Sequence, residues 1–181
     1  MNLPNLITIG RILLAPLTIW FIIAGRFPEA FLTVIVAGVS DAADGFIAKH
    51  FDQATELGAY IDPLADKILL VGIYVSLGFL NEMPSWLVIL AVSRDILILG
   101  AVILSWLMDK PIEVKPIMVS KVNTMAQIVL ACMILGALAF DIAMEGVVLP
   151  FAVIVAMLTV VSGANYMWQW MRHMANGSQN T

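Results

Sequence analysis

Asp41 to Lys67 reads DAADGFIAKHFDQATELGAYIDPLADK. Four of its aspartates, Asp41, Asp44, Asp62 and Asp66, stand in segments otherwise apolar enough to lie in a lipid bilayer. An ionised carboxylate costs roughly 2.5 to 3.5 kcal/mol at the centre of a membrane helix, so four of them need compensation. Divalent cations supply it most directly, and phosphoryl transfer is the chemistry that most often accompanies such a site. The spacings are helical. Asp41 and Asp44 are three apart and share a face, with Gly45 next in the chain and Ala48 one turn on from Asp44. Gly58, Asp62 and Asp66 recur at intervals of four and again share one face. Pro63 interrupts that second segment near its start, which a membrane tolerates where freed carbonyls meet a cavity, water or another helix. Small residues beside carboxylates let a ligand approach the backbone, although helix packing accounts for Gly45 and Ala48 as well. Lys67 neutralises one acid beside it and leaves the other three unexplained.

Outward from this stretch the whole chain has the composition of an integral membrane protein. Of its 181 residues 61% are hydrophobic and only 12% charged, and the mean hydropathy is +0.97; both lie outside the range of soluble globular domains. A net charge of −4 gives no support to nucleic-acid binding. Cys132 is the single cysteine, so neither a disulfide framework nor a Cys/His zinc site is expected. The first ten residues lack the basic region of a cleaved signal.

A bilayer core takes about 20 apolar residues per helix. Six stretches meet that need: Leu3 to Gly25, Pro28 to Lys49, Leu57 to Leu80, Pro84 to Met108, Ile117 to Phe140 and Val147 to Met171. Short connections with breakers or charges separate them. The expected fold is therefore all-α, a polytopic membrane protein with six transmembrane helices in one bundle. Residues 1–173 form its single domain, and a disordered tail covers 174–181. Lys49, Lys110, Lys115 and Arg172 fall on the side of the N-terminus, against Arg26 alone opposite, which places both termini in the cytoplasm. The expected location is a bacterial inner membrane, with an organellar inner membrane as the alternative.

Other polar residues interrupt the apolar spans. Arg11, in the first turns of the first span, either snorkels to the interface or contacts a phosphate beside the aspartates. Arg94 and Asp95 lie in mid-helix and point in different directions, so each is expected to pair with another helix. Lys121, Asn123, Thr124 and Gln127 are expected to form a polar cluster at one membrane face, an interfacial cap or a site for acceptor or phosphate. Ser162, Asn165 and Gln169 read as interhelical hydrogen-bond formers, and Trp168 and Trp170 as an aromatic belt.

Together, Asp41, Asp44, Gly45, Ala48, Lys49, Gly58, Asp62 and Asp66 spell D-x-x-D-G-x-x-A-K-x8-G-x-x-x-D-x-x-x-D. This resembles the signature of the CDP-alcohol phosphatidyltransferases, whose usual form has arginine where Lys49 stands. The substitution keeps the charge and loses the bidentate fork. The resemblance implies a six-helix, usually dimeric enzyme that transfers the phosphatidyl group of CDP-diacylglycerol to an alcohol and releases CMP. It also implies that Asp41, Asp44 and Asp62 hold one or two Mg²⁺ or Mn²⁺ ions, with Asp66 completing the shell and serving as general base. Asp41, Gly45, Ala48 and Gly58 would line the CDP site, with Lys49 near the phosphates. Elementary chemistry agrees: a diphosphate approaches four carboxylates in a low-dielectric site only if cations offset the repulsion, and an alcohol needs a base to accept its proton.

Two acceptors suit this resemblance. Phosphatidylglycerophosphate synthases use glycerol 3-phosphate and commonly show a G-K-x-K-T-like stretch in the fifth span, where this chain has Ser120, Lys121, Val122, Asn123 and Thr124. A phosphomonoester is close to a dianion and gains from both lysines. The phosphodiester of phosphatidylglycerol, the acceptor of CMP-forming cardiolipin synthases, carries one charge, so Asn123 favours the cardiolipin synthase branch. A prenyltransferase with aspartate-rich motifs would be longer and differently spaced. A cation or proton transporter would explain buried acids but not the Gly and Ala spacing around them.

Overall fold

A computed structural model describes residues 3–51, 56–108, 118–144 and 146–176. Residues 3–9, 11, 41–51, 56–65, 106, 175 and 176 enter by their backbone alone. Among the described residues the chain is all-helical, with six helices: α1 Leu3–Ile23, α2 Phe27–Phe51, α3 Glu56–Phe79, α4 Ser85–Leu107, α5 Met118–Ala139 and α6 Val148–Asn176. Each coincides with one apolar stretch to within a few residues. The largest difference is at the end of the chain, where α6 runs to Asn176 and so takes in the first residues of the expected tail. No breaker intervenes before Gly177, and His173 in the last turn complements the helix dipole. Residues 177–181 lie outside the described residues.

The helix ends explain why the connections are so short. Gly25 has φ +70°, its N–H reaches the Ile22 carbonyl at 3.0 Å and the Arg26 N–H reaches Phe21 at 2.8 Å. This paired closure satisfies carbonyls that the end of α1 leaves free. Asn81, at φ 63°, ends α3 in the same way, with Asn81 bonded to Gly78 and Glu82 to Leu77. Asp141, at φ 54°, follows α5, and the Ile142 N–H reaches Ala137 at 2.9 Å. Asn and Asp are the non-glycine residues that enter this left-handed region most readily.

Among the described residues three helical segments are long and apolar enough to cross a membrane: Ser85–Ser105, Met118–Ala139 and Val148–Met174. Ile12–Ile23 and Phe27–Ser40 are shorter apolar runs. Leu13, Ile89, Ile96 and Met157 are among many large apolar side chains left exposed, as a lipid-facing surface requires.

The chain divides into two compact units. The first comprises Met1–Met83 and Ala131–Glu145. Within it α1 packs against both α2 and α3. Small residues allow the close approach: Ala15, Ala30 and Ala37 are buried, and Gly72 meets Ile19. Thr18, fully buried, donates to the Thr33 hydroxyl at 2.9 Å, which itself donates to the Ala30 carbonyl at 2.7 Å. The end of α5 joins this unit through Gly136, which lies against Phe31, and through an edge-on contact between Phe31 and Phe140 at 5.8 Å.

The second unit comprises Pro84–Leu130 and Gly146–Thr181, and in it α4 packs against α6. Trp170 ties the two helices, its indole N–H reaching the Ser105 hydroxyl at 2.9 Å and the Ala101 carbonyl at 3.1 Å. Trp168 is exposed, as a belt residue should be, whereas Trp170 is half-buried and turned to α4.

Candidate active site

The acidic motif occupies the end of α2 and the start of α3. Asp41, Asp44, Gly45, Ala48 and Lys49 all fall on the helical backbone of α2, and Gly58, Asp62 and Asp66 on that of α3. The intervals of three and four therefore become true helical neighbours, and Gly58, Asp62 and Asp66 form one stripe along α3. α1 braces both helices: its Thr18 is bonded to α2, and its Ile19 rests on Gly72 of α3.

The side chains of Asp41, Asp44, Gly45, Ala48, Lys49, Gly58 and Asp62, and that of Arg11, lie outside the described residues. Asp66 and Lys67 are described; both are half-buried, and each engages a partner. Among the described residues no group of three or more His, Cys, Asp or Glu comes together to hold a metal. The fit of Mg²⁺ or Mn²⁺ rests on the chemistry of the donors. Asp41 and Asp44 on α2 and Asp62 and Asp66 on α3 are residue types whose oxygens are hard and anionic, the ligands such ions take.

The polar residues of α5 are not one cluster. Lys121 is exposed, whereas Asn123 is fully buried and Gln127 nearly so. Residues two apart on a helix project from nearly opposite faces, which separates Lys121 from Asn123. The Asn123 carboxamide oxygen accepts from Thr159 of α6 at 2.9 Å, and Gln127 lies 3.5 Å from the same hydroxyl. The Asn123 nitrogen is buried with no hydrogen-bond partner among the described residues.

Arg94 is the residue that sequence reasoning undervalued. It is 4% exposed in the middle of α4. It reaches two other helices as expected, donating from Nη2 to Ser120 of α5 at 2.6 Å and to Ser162 of α6 at 2.7 Å. The expectation that Arg94 and Asp95 turn away from one another is corrected: Nη1 pairs with the Asp95 carboxylate. Partition explains the difference, since a guanidinium in an apolar span lowers its cost most by engaging the nearest acid. An arginine between Ser93 and a second charge, well inside an apolar run, was the available signal.

The family model described as CDP-alcohol phosphatidyltransferase matches residues 1–163. A cardiolipin synthase (CMP-forming) of Homo sapiens is 35% identical over 78% of this chain and 52% of its own length. A probable cardiolipin synthase (CMP-forming) of Drosophila melanogaster is 31% identical over 76% of this chain and 48% of its own. This chain thus spans about half the length of these two relatives. A CDP-diacylglycerol–glycerol-3-phosphate 3-phosphatidyltransferase of Bacillus subtilis is 32% identical over 91% of this chain and 93% of its own. With the spaced acids on α2 and α3 and a family match through most of α6, the chain belongs to the CDP-alcohol phosphatidyltransferase family.

Proposed function

We propose that the protein transfers the phosphatidyl group of CDP-diacylglycerol to the free hydroxyl of phosphatidylglycerol, forming cardiolipin and CMP. One observation carries the phosphatidyltransferase part of this reading: the spaced motif from Asp41 to Asp66, with Lys49 at the usual arginine position, lies on two consecutive helices of a chain that matches the family model over residues 1–163. Asp41, Asp44, Asp62 and Asp66 would hold one or two Mg²⁺ or Mn²⁺ ions, which when bound offset the charge of the diphosphate and of the departing CMP. Gly45, Ala48 and Gly58 leave room for the cytidine, and Lys49 pairs with phosphate. Asp66 accepts the hydroxyl proton as the acceptor oxygen attacks phosphorus and the bond to CMP breaks.

The acceptor follows from α5. Lys121 supplies one cation near the start of α5, and Asn123, neutral and buried against Thr159 on the other face of the helix, adds no second. A singly charged phosphodiester matches that balance better than a phosphomonoester. The second reading, glycerol 3-phosphate as acceptor, is favoured by the Bacillus relative that aligns nearly end to end. All six helices are assigned to the membrane, as one domain over residues 1–173, with both termini cytoplasmic in a bacterial inner membrane and a homodimer as the working unit.

The test is a lipid-product assay on purified protein with CDP-diacylglycerol, Mg²⁺ or Mn²⁺, and each acceptor alone. Cardiolipin from phosphatidylglycerol, with no product from glycerol 3-phosphate, is the expected result. Product from glycerol 3-phosphate alone would establish the second reading.

A further inference from the structure

We propose that Arg94 is a positioning residue, whose guanidinium fixes the start of α5, and with it Lys121, against α4 and α6. This rests on the reading that Lys121 serves the acceptor side of the reaction. The first turn of a helix is its least constrained part, because its N–H groups have no intrahelical partners. Ser120 stands in that turn, immediately before Lys121, and its hydroxyl takes a hydrogen bond from Arg94. The same Nη2 reaches Ser162 on α6. One buried planar group thus joins three helices, and its charge is already met by Asp95. Arg94 needs no anionic ligand for neutrality, so it acts through α5.

Two further features support this role. The Arg94 Nε is buried without a hydrogen-bond partner among the described residues, a cost that persists when the rest of the fork is committed to one plane. Opposite its stem lies Gly163, where an added Cβ would stand 3.5 Å from the Arg94 Cγ, so α6 presents its smallest residue to the arginine. A lysine reproduces the charge but not a fork that bonds in two directions.

The experiment compares wild type with Arg94→Gln, Arg94→Lys and Ser120→Ala by backbone hydrogen exchange and by steady-state kinetics. Arg94→Gln and Ser120→Ala are expected to speed exchange at residues 122–127 by about ten-fold while leaving the amides of α1 unchanged. The same two variants should raise the KM for the acceptor by about ten-fold, with kcat and the KM for CDP-diacylglycerol held. Arg94→Lys should recover only part of either effect. Unchanged exchange in α5, or equal rises in both KM values, would overturn the proposal. Should Arg94→Gln fail to fold, Ser120→Ala decides by the same readouts. Should wild type turn over no alcohol, the phosphatidyltransferase reading fails, and the exchange arm still decides whether Arg94 holds α5.

Discussion

Gly72 of α3 lies so close to Ile19 of α1 that a Cβ placed on it would stand 2.6 Å from the Ile19 Cδ1. The contact is with the far end of a flexible side chain, so Gly72→Ala should be accommodated at about 1 kcal/mol. Gly72→Val should cost about 2 to 3 kcal/mol by forcing the helices apart. Because α1 braces the helix that carries Asp62 and Asp66, the valine variant should lose activity along with stability. Thermal unfolding in detergent with parallel CMP release checks this. Full stability in Gly72→Val would mean that the two helices do not depend on this contact.

Asp141 holds a left-handed conformation after α5. Asp141→Gly should be neutral or slightly stabilising, whereas Asp141→Val should lose about 1 to 2 kcal/mol. Denaturation midpoints of the two variants measure the difference. Equal midpoints would argue against a conformational requirement at this position.

Asp66 is half-buried on the acidic stripe of α3. Asp66→Asn keeps its shape and removes its basicity, so transfer should fall by about 10²- to 10⁴-fold. Binding of CDP-diacylglycerol should change by no more than a few-fold. Unimpaired turnover would remove Asp66 as the base.

Asn123 is fully buried beside Thr159. A lysine there leaves an ammonium without an anionic partner, and Asn123→Lys should therefore unfold at lower temperature than wild type. Glycerol 3-phosphate should restore part of that loss if its phosphate reaches position 123, by binding the folded state. Thermal midpoints with and without the ligand give the answer. No ligand-dependent recovery would separate position 123 from the acceptor site.

Much of this was legible from spacing alone. The apolar stretches marked the six helices, whereas the left-handed caps at Asn81 and Asp141 that follow α3 and α5 emerge only from the backbone. The motif was legible because helical neighbours recur at three and four residues, and the helical backbones of α2 and α3 supply that periodicity. Tertiary contacts were harder to read. Lys121 and Asn123 stand close in sequence, but a helix sends them to different surroundings. The sequence marks Arg94 as costly in lipid without showing that Ser120 and Ser162 stand around it. Trp170 resembles a belt residue until its indole N–H is seen to bond α4.

The most direct test of the central claim is CMP release from CDP-diacylglycerol, measured against Mg²⁺ and Mn²⁺ concentration in wild type and in Asp62→Ala. Release that requires the ion, stops on chelation and is lost in Asp62→Ala is the predicted result. Release that persists in chelator, or that Asp62→Ala leaves unchanged, would contradict a metal-dependent phosphatidyltransferase built on the aspartates of α2 and α3.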